Sequence, residues 1–103
     1  MAIELVTGWT EELLYVLKNN GVAVSLSGAT VALVARDSAD NPLTLSGAVS
    51  VVDESTGQVQ FAPALGDITK THSPYRVRFK VTAADGRISY FPNKEPERWI
   101  VKL

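Results

Sequence analysis

Hydrophobic and polar positions alternate with a period of two through much of this chain. The clearest case is residues 75–83, where apolar side chains are separated by basic or hydroxylated ones. Alternation of this kind places one face of a β-strand in a core and the other in water. The residues expected to point inward are Tyr75, Val77, Phe79 and Val81. Those expected to point outward are Arg76, Arg78, Lys80 and Thr82.

Short turn sequences divide the chain at intervals of about ten residues. They include Asn-Asn-Gly at 19–21, Ser-Thr-Gly at 55–57 and Ala-Asp-Gly at 84–86. Asn, Asp and Gly tolerate the positive φ that tight hairpins need. In the irregular stretch 62–74, Asp67 is expected to accept backbone hydrogen bonds in an Asx turn. This pattern predicts one all-β domain over residues 1–103, an antiparallel sandwich or barrel of about seven to nine short strands.

Residues 9–18 fit two structures. A helix is favoured by a capping Thr10, acidic residues in the first turn and a closing Gly21. A strand would place alternate apolar residues on one face. We favour the strand, because a single short helix among strands would need its own packing partner. The shared face would comprise Trp9, Leu13, Tyr15 and Leu17.

Residues 29–36 are apolar on both faces of the expected strand. A strand with two apolar faces is unusual in a two-layer sandwich. We therefore expect one of these faces to meet a neighbouring subunit.

Composition narrows the classes of function. The chain has 103 residues, a net charge of −1 and no cysteine. We therefore expect no nucleic-acid binding, disulfide or thiolate zinc site. No apolar run reaches the length of a membrane span, about 18 residues. No membrane partner is therefore expected. The N-terminus lacks the basic and apolar segments of a signal peptide, so we do not expect it to be one.

The polar residues do not form a recognisable catalytic or metal-binding motif. His72 is the single histidine and is expected to lie in a solvated loop. Asp37, Asp40 and Asn41 resemble part of a calcium loop, but the bidentate glutamate and the turn glycine are missing. We predict no catalytic residues, no metal and no cofactor.

Five residues are candidates for binding a partner. Arg76, Arg78 and Lys80 form a basic row, which would suit an anionic partner, although the solvated side of a sheet is the explanation we favour. The aromatic residues Trp9 and Trp99 would suit a sugar or a protein, although aromatics in a sandwich are core residues first. Of the aromatics, Trp99 is the one we most expect to face a partner, because charges flank it near the end of the sequence.

The order of the turns resembles a known family. The segments that carry the resemblance are Gly-Trp-Thr at 8–10, the turn and strand at 19–31, Val-Asp-Glu-Ser-Thr-Gly-Gln-Val at 52–59, the strand at 75–82 with the turn at 84–87, and Phe-Pro at 91–92. Together they are similar to the immunoglobulin-like domain found at the N-terminus of phage upper-baseplate proteins and as small stand-alone phage and prophage proteins. One departure is Ser73-Pro74, where the family usually has glycine before the tyrosine.

The resemblance implies an immunoglobulin-like sandwich without catalytic residues. It also implies a virion structural role in tail or baseplate assembly or on the particle surface. The expected partners are other phage structural proteins and further copies of the chain in a symmetric oligomer. The expected locations are the host cytoplasm during assembly and then the virion. The alternative is a carbohydrate- or cell-surface-binding module.

Overall fold

The computed structural model describes residues 2–19, 21–92 and 95–103, so Asn20 of the predicted hairpin lies outside them. The described chain is all-β, with one 3-10 turn at Lys70–His72. The described residues form eleven strands, more than the seven to nine predicted; eight have four or more residues and three have only two. The strands are β1 (Ala2–Val6), β2 (Leu13–Val16), β3 (Lys18–Asn19), β4 (Val22–Ala23), β5 (Thr30–Arg36), β6 (Pro42–Leu43), β7 (Ala48–Asp53), β8 (Gln58–Ala62), β9 (Tyr75–Thr82), β10 (Ile88–Phe91) and β11 (Glu97–Lys102).

The strands form two sheets and a small ribbon. The large sheet has the order β1-β11-β9-β5-β6, and β10 also pairs with β9. The small sheet has the order β2-β8-β7, and β3 pairs with β4. The pairing is antiparallel except between β1 and β11, which are parallel. The sheets therefore have the antiparallel character that the hairpin turns predict.

Strands β10 and β11 act as two halves of one interrupted strand. Both run antiparallel to β9, with Phe91 opposite Phe79 and Glu97 opposite Val77. The chain therefore leaves β9 after Phe91 and returns at Glu97. Proline at positions 92 and 96 suits this interruption, because proline cannot donate a ladder hydrogen bond.

The core lies between the two sheets. The alternating residues of β9 are buried as predicted, each at most 6% exposed. They meet side chains from the small sheet and its extensions in two adjoining clusters. The inward residues of β9 are Tyr75, Val77, Phe79 and Val81, and the facing residues are Leu13, Leu17, Val59 and Phe61.

Residues 13–16 form a strand, so the strand prediction for this region is confirmed. Leu13 and Leu17 are buried, and Tyr15 between them is half-buried. The strand is shorter than expected, because residues 10–12 lie outside the ladder with β8. After it, Lys18 pairs with Ala23, which confirms a hairpin around Gly21.

The two faces of β5 differ in burial. Val31 and Leu33 are half-buried and Ala35 is buried on the inward side, whereas Ala32 and Val34 are exposed on the outward side. An outward apolar pair matches the residue pattern of 29–36. Its contact with a neighbouring subunit stays a prediction.

Asp67 connects loops from both sheets. Its carboxylate accepts hydrogen bonds from the backbone N–H groups of Ser46 (2.8 Å), Gly47 (2.7 Å) and Ala64 (2.9 Å). The expected Asx turn is therefore wrong in detail, because these donors precede Asp67 and two lie about 20 residues upstream. A Cβ atom at Gly47 would collide with the Ala62 carbonyl oxygen, so glycine is required for this close approach.

Tyr75 ties the same segment to β9. Its hydroxyl donates to the Asp67 carbonyl oxygen (2.7 Å) and accepts from the Thr69 N–H (2.9 Å). We call this set the Asp67 junction, comprising Ser46, Gly47, Ala64, Asp67, Thr69 and Tyr75. It fixes the crossing from the small sheet to the large sheet.

Replacing Phe79 by Ala should lower the free energy of unfolding by about 3–5 kcal/mol, because the ring is 2% exposed and its loss leaves a cavity. Denaturant unfolding measures the change. The exposed Leu14 provides the control, and Leu14→Ala should change stability by no more than about 0.5 kcal/mol. Equal effects of the two substitutions would contradict the assigned faces.

Replacing Tyr75 by Phe should lower the free energy of unfolding by about 1–3 kcal/mol, because the buried Asp67 carbonyl and the part-buried Thr69 N–H lose their partner. The matched control is Tyr90→Phe, since Tyr90 is 44% exposed. Urea unfolding of both variants makes the comparison. A Tyr75→Phe protein as stable as the control would show that the hydroxyl is dispensable.

Candidate functional site

The predicted basic row lies on the outward face of the large sheet. Arg76 is exposed, and Arg78 and Lys80 are half-buried. All three belong to β9, which is a central strand rather than an edge strand. The row therefore does not protect a sheet edge, and its binding role stays a prediction.

Arginines from three neighbouring strands lie side by side across this face. Arg76 of β9 is directly opposite Arg36 of β5 and Arg98 of β11. Like charges in directly opposite positions destabilise a sheet. Asp40 offsets part of this repulsion, with its Oδ1 3.7 Å from Arg76 Nη1 and 3.9 Å from Arg36 Nε.

We call the outward side of the large sheet the basic face. It carries six of the nine lysines and arginines that the structure describes. The net charge of −1 conceals this concentration, because most of the acids lie elsewhere. Sequence reasoning identified the three cations of β9 and missed the others, since only strand register brings them together. The six are Arg36, Arg76, Arg78, Lys80, Arg98 and Lys102.

The suspected calcium loop is a hydrogen-bonded turn. Asp37 Oδ1 accepts from the N–H groups of Ala39 and Asn41, each at 2.9 Å. The hydrogen bond from the Asn41 backbone is the main cause that lowers the pKa of Asp37. Within residues 2–19, 21–92 and 95–103, no three His, Cys, Asp or Glu side chains gather as a metal site.

Trp99 does not face a partner, so this prediction is wrong. It is fully buried between the sheets, and its ring stacks on Phe61 at a centroid distance of 5.8 Å. Its Nε1 donates to the Tyr15 hydroxyl at 2.7 Å. The charges beside Trp99 led to the wrong prediction, because alternation along the strand turns Arg98 outward and the indole of Trp99 inward. Trp9 is half-buried against the same core, and its Nε1 donates to the Glu11 carbonyl oxygen (3.1 Å).

A groove follows the side of the molecule where β2 ends the small sheet. It consists of two adjoining depressions of about 600 Å³ and about 330 Å³. One wall is the run of residues 12–16, and aromatic rings from the core reach its floor. We call it the lateral groove. The residues shared by its two parts are Tyr15, Val16, Lys18 and Glu97.

Glu97 is the distinctive polar residue of the lateral groove. The residue is 6% exposed, and its Oε1 has no hydrogen-bond partner within the described chain. Burial raises the pKa of Glu97 above its usual value of 4.5, because the charged form loses hydration. A buried acceptor without a donor is costly, which makes Glu97 a candidate for binding a ligand that supplies one.

Tyr15 connects the lateral groove to the core. Burial raises the pKa of Tyr15 to about 12. The hydrogen bond from Trp99 lowers this pKa, and the charge of Glu97 raises it further. Its ring lies 5.2 Å from that of Phe79 between centroids. Tyr15 is therefore a neutral wall of the groove near pH 7, held in place by the hydrogen bond from Trp99.

The sequence offered little sign of the lateral groove. Glu97 follows proline in a charged segment and resembles an ordinary surface acid. The one usable signal was period-two alternation, which places Glu97 on the same side of β11 as Trp99 and Val101. That side is the core side.

The chain matches no protein-family model, no curated protein and no solved structure. No helix in the described parts of the chain is long and apolar enough to cross a membrane.

Replacing Glu97 by Gln should raise the melting temperature at neutral pH. Because burial raises the folded-state pKa, the folded chain holds this proton more tightly than the unfolded chain. Stability is therefore lost as pH rises from about 4.5 through the folded pKa. The increase in melting temperature caused by Glu97→Gln should shrink as the pH falls and vanish below about pH 4.5.

Thermal melts of Glu97→Gln across a pH series make this measurement. Glu11→Gln removes the same charge from an exposed position and serves as the control. A lower melting temperature for Glu97→Gln at neutral pH would mean that the carboxylate has a stabilising partner in the free protein.

Proposed function

We propose that this chain is a non-catalytic attachment module of a phage or prophage particle, with an immunoglobulin-like sandwich fold. It acts in the tail or baseplate through contacts with other structural proteins. It assembles in the host cytoplasm and remains in the virion. The observation that carries the proposal is an open strand edge beside a groove, on a fold that agrees with the family resemblance.

The strand order supports the immunoglobulin-like class. Constant-type immunoglobulin sandwiches place their first, second, fifth and fourth strands in one sheet and their third, sixth and seventh in the other. Here β2-β8-β7 corresponds to the second, fifth and fourth strands, whereas β1 departs from that order because it pairs with β11 in the other sheet. The interrupted strand β10–β11, with β9 and β5, corresponds to the seventh, sixth and third strands. β6 occupies the place of the extra strand found in variable-type domains.

The hydrogen bonds of Tyr75 give independent support. Many immunoglobulin-like domains have a tyrosine near the start of the sixth strand, whose hydroxyl bonds to backbone a few residues upstream. Tyr75 begins β9 and donates to the Asp67 carbonyl oxygen, eight residues upstream. The donor, the strand and the direction all agree with that corner.

The available surfaces favour protein contacts over sugar binding. The sugar-binding alternative relied on exposed indoles such as Trp9 and Trp99. Trp99 is buried, and the Nε1 atoms of both already donate hydrogen bonds. The surfaces that remain are the basic face, the lateral groove and an edge strand, which are features that proteins use to dock.

Particles purified from bacteria that carry the encoding genome should contain this chain at a fixed ratio to their tail proteins. Quantitative mass spectrometry with isotope-labelled peptides measures the ratio. An abundant host cytoplasmic protein, which should fall away on purification, is the control. A chain that is plentiful in the lysate and missing from the particles would overturn the proposal.

A further inference from the structure

We propose that the lateral groove binds an extended segment of a partner protein, which adds a strand to β2 and places a lysine or arginine against Glu97. The inference rests on the attachment role proposed above and names the chemistry of the contact. Three features of the groove carry it: the open backbone edge, the buried Glu97 Oε1 without a donor in the described chain, and the apolar side chains beside them.

One edge of β2 is open, so its backbone groups can pair with another strand. β2 is the terminal strand of the small sheet and pairs with β8 on one side. The Leu17 N–H donates to the Gly57 carbonyl oxygen in the same register, so Leu13 and Tyr15 also turn their backbone groups toward β8. By alternation, Leu14 and Val16 turn theirs toward the open edge. A partner strand would satisfy these groups in the way that extended peptides extend a sheet.

The charge of the lateral groove specifies a basic segment. Among the residues that the structure describes, its charged lining residues are Glu12, Lys18, Glu95 and Glu97. In this described part of the lining, three acids face one base, and Glu97 Oε1 is buried and lacks a donor within the described chain. A lysine or arginine in the groove would lie against the Glu97 side chain and compensate its charge. An acidic or neutral segment would leave the carboxylate buried and uncompensated.

Apolar side chains beside the edge would hold the rest of the segment. Leu14 is 68% exposed and Val16 is 45% exposed on the outer side of β2. Phe79 and Phe91 line the floor of the groove on the inner side. An added strand has side chains on both faces, so its apolar residues would cover both sets.

A yeast-displayed library of random peptides, about eight residues long to exceed the length of β2, provides the probe. Panning against the folded full-length chain should enrich β-prone sequences with one lysine or arginine at a constant position. A synthetic peptide of the enriched sequence should slow amide hydrogen exchange at Leu14 and Val16 by at least about tenfold. The exchange of other surface amides should be unchanged.

Three variants separate the contributions. Glu97→Gln should weaken binding of the enriched peptide by at least about tenfold, because the buried charge is removed. Val16→Pro should weaken it similarly, since proline removes one N–H from the open edge and edge positions tolerate proline. Glu11→Gln, outside the groove, should leave the affinity within about twofold.

Several results would overturn the inference. They are failure of the library to enrich any sequence, enrichment of peptides without a cation, and unchanged affinity in Glu97→Gln. Peptides that perturb the basic face instead of β2 would also overturn it. So would concentration-dependent protection of Leu14 and Val16 without peptide, because the occupant would then be a second copy. Particle mass spectrometry does not depend on these outcomes, so the virion role can fail while peptide binding succeeds, and the reverse.

Discussion

The fold depends on one buried carboxylate that gathers backbone amides from separate loops. Asp67 holds the N–H groups of Ser46, Gly47 and Ala64, while its carbonyl oxygen accepts from the Tyr75 hydroxyl. Hydrogen bonds to a charged group are worth more than neutral ones, and leaving buried donors unpaired is costly. The Asp67 junction therefore fixes the loop before β7 and the start of β9 to one point. The two sheets are held in place by it, and the aromatic core fills the space between them.

The lateral groove contrasts with the Asp67 junction, where the carboxylate has hydrogen-bond donors. The small sheet ends at β2, and the lateral groove runs beside it with Glu97 buried and its Oε1 without a donor in the described chain. The free protein carries the cost of that carboxylate. The basic face also carries an unfavourable arrangement, because Arg36, Arg76 and Arg98 lie directly opposite one another on three neighbouring strands. In both places the sequence keeps an arrangement that lowers stability, as functional surfaces often do.

Local pattern predicted the strands and their faces well, because alternation and turn residues act over a few positions. The inward face of β9, the strand at β2 and the hairpin around Gly21 followed from it. The prediction for Trp99 failed because flanking charges were weighed above alternation. The remaining features depend on contacts between distant residues: Asp67 finds two of its donors about 20 residues upstream, and the row of arginines needs the register of three strands. Whether a buried carboxylate such as that of Glu97 has a hydrogen-bond donor depends on how distant segments pack around it.

Native-state amide hydrogen exchange of the isolated chain tests the central claim most directly, because it compares the Asp67 junction with the open edge in one experiment. The account predicts that the amides of Ser46, Gly47 and Ala64 exchange only through global unfolding, as slowly as those in β9. It also predicts that Leu14 and Val16 exchange rapidly. Fast exchange at the junction would contradict the account, since the sheets would then be held together without Asp67.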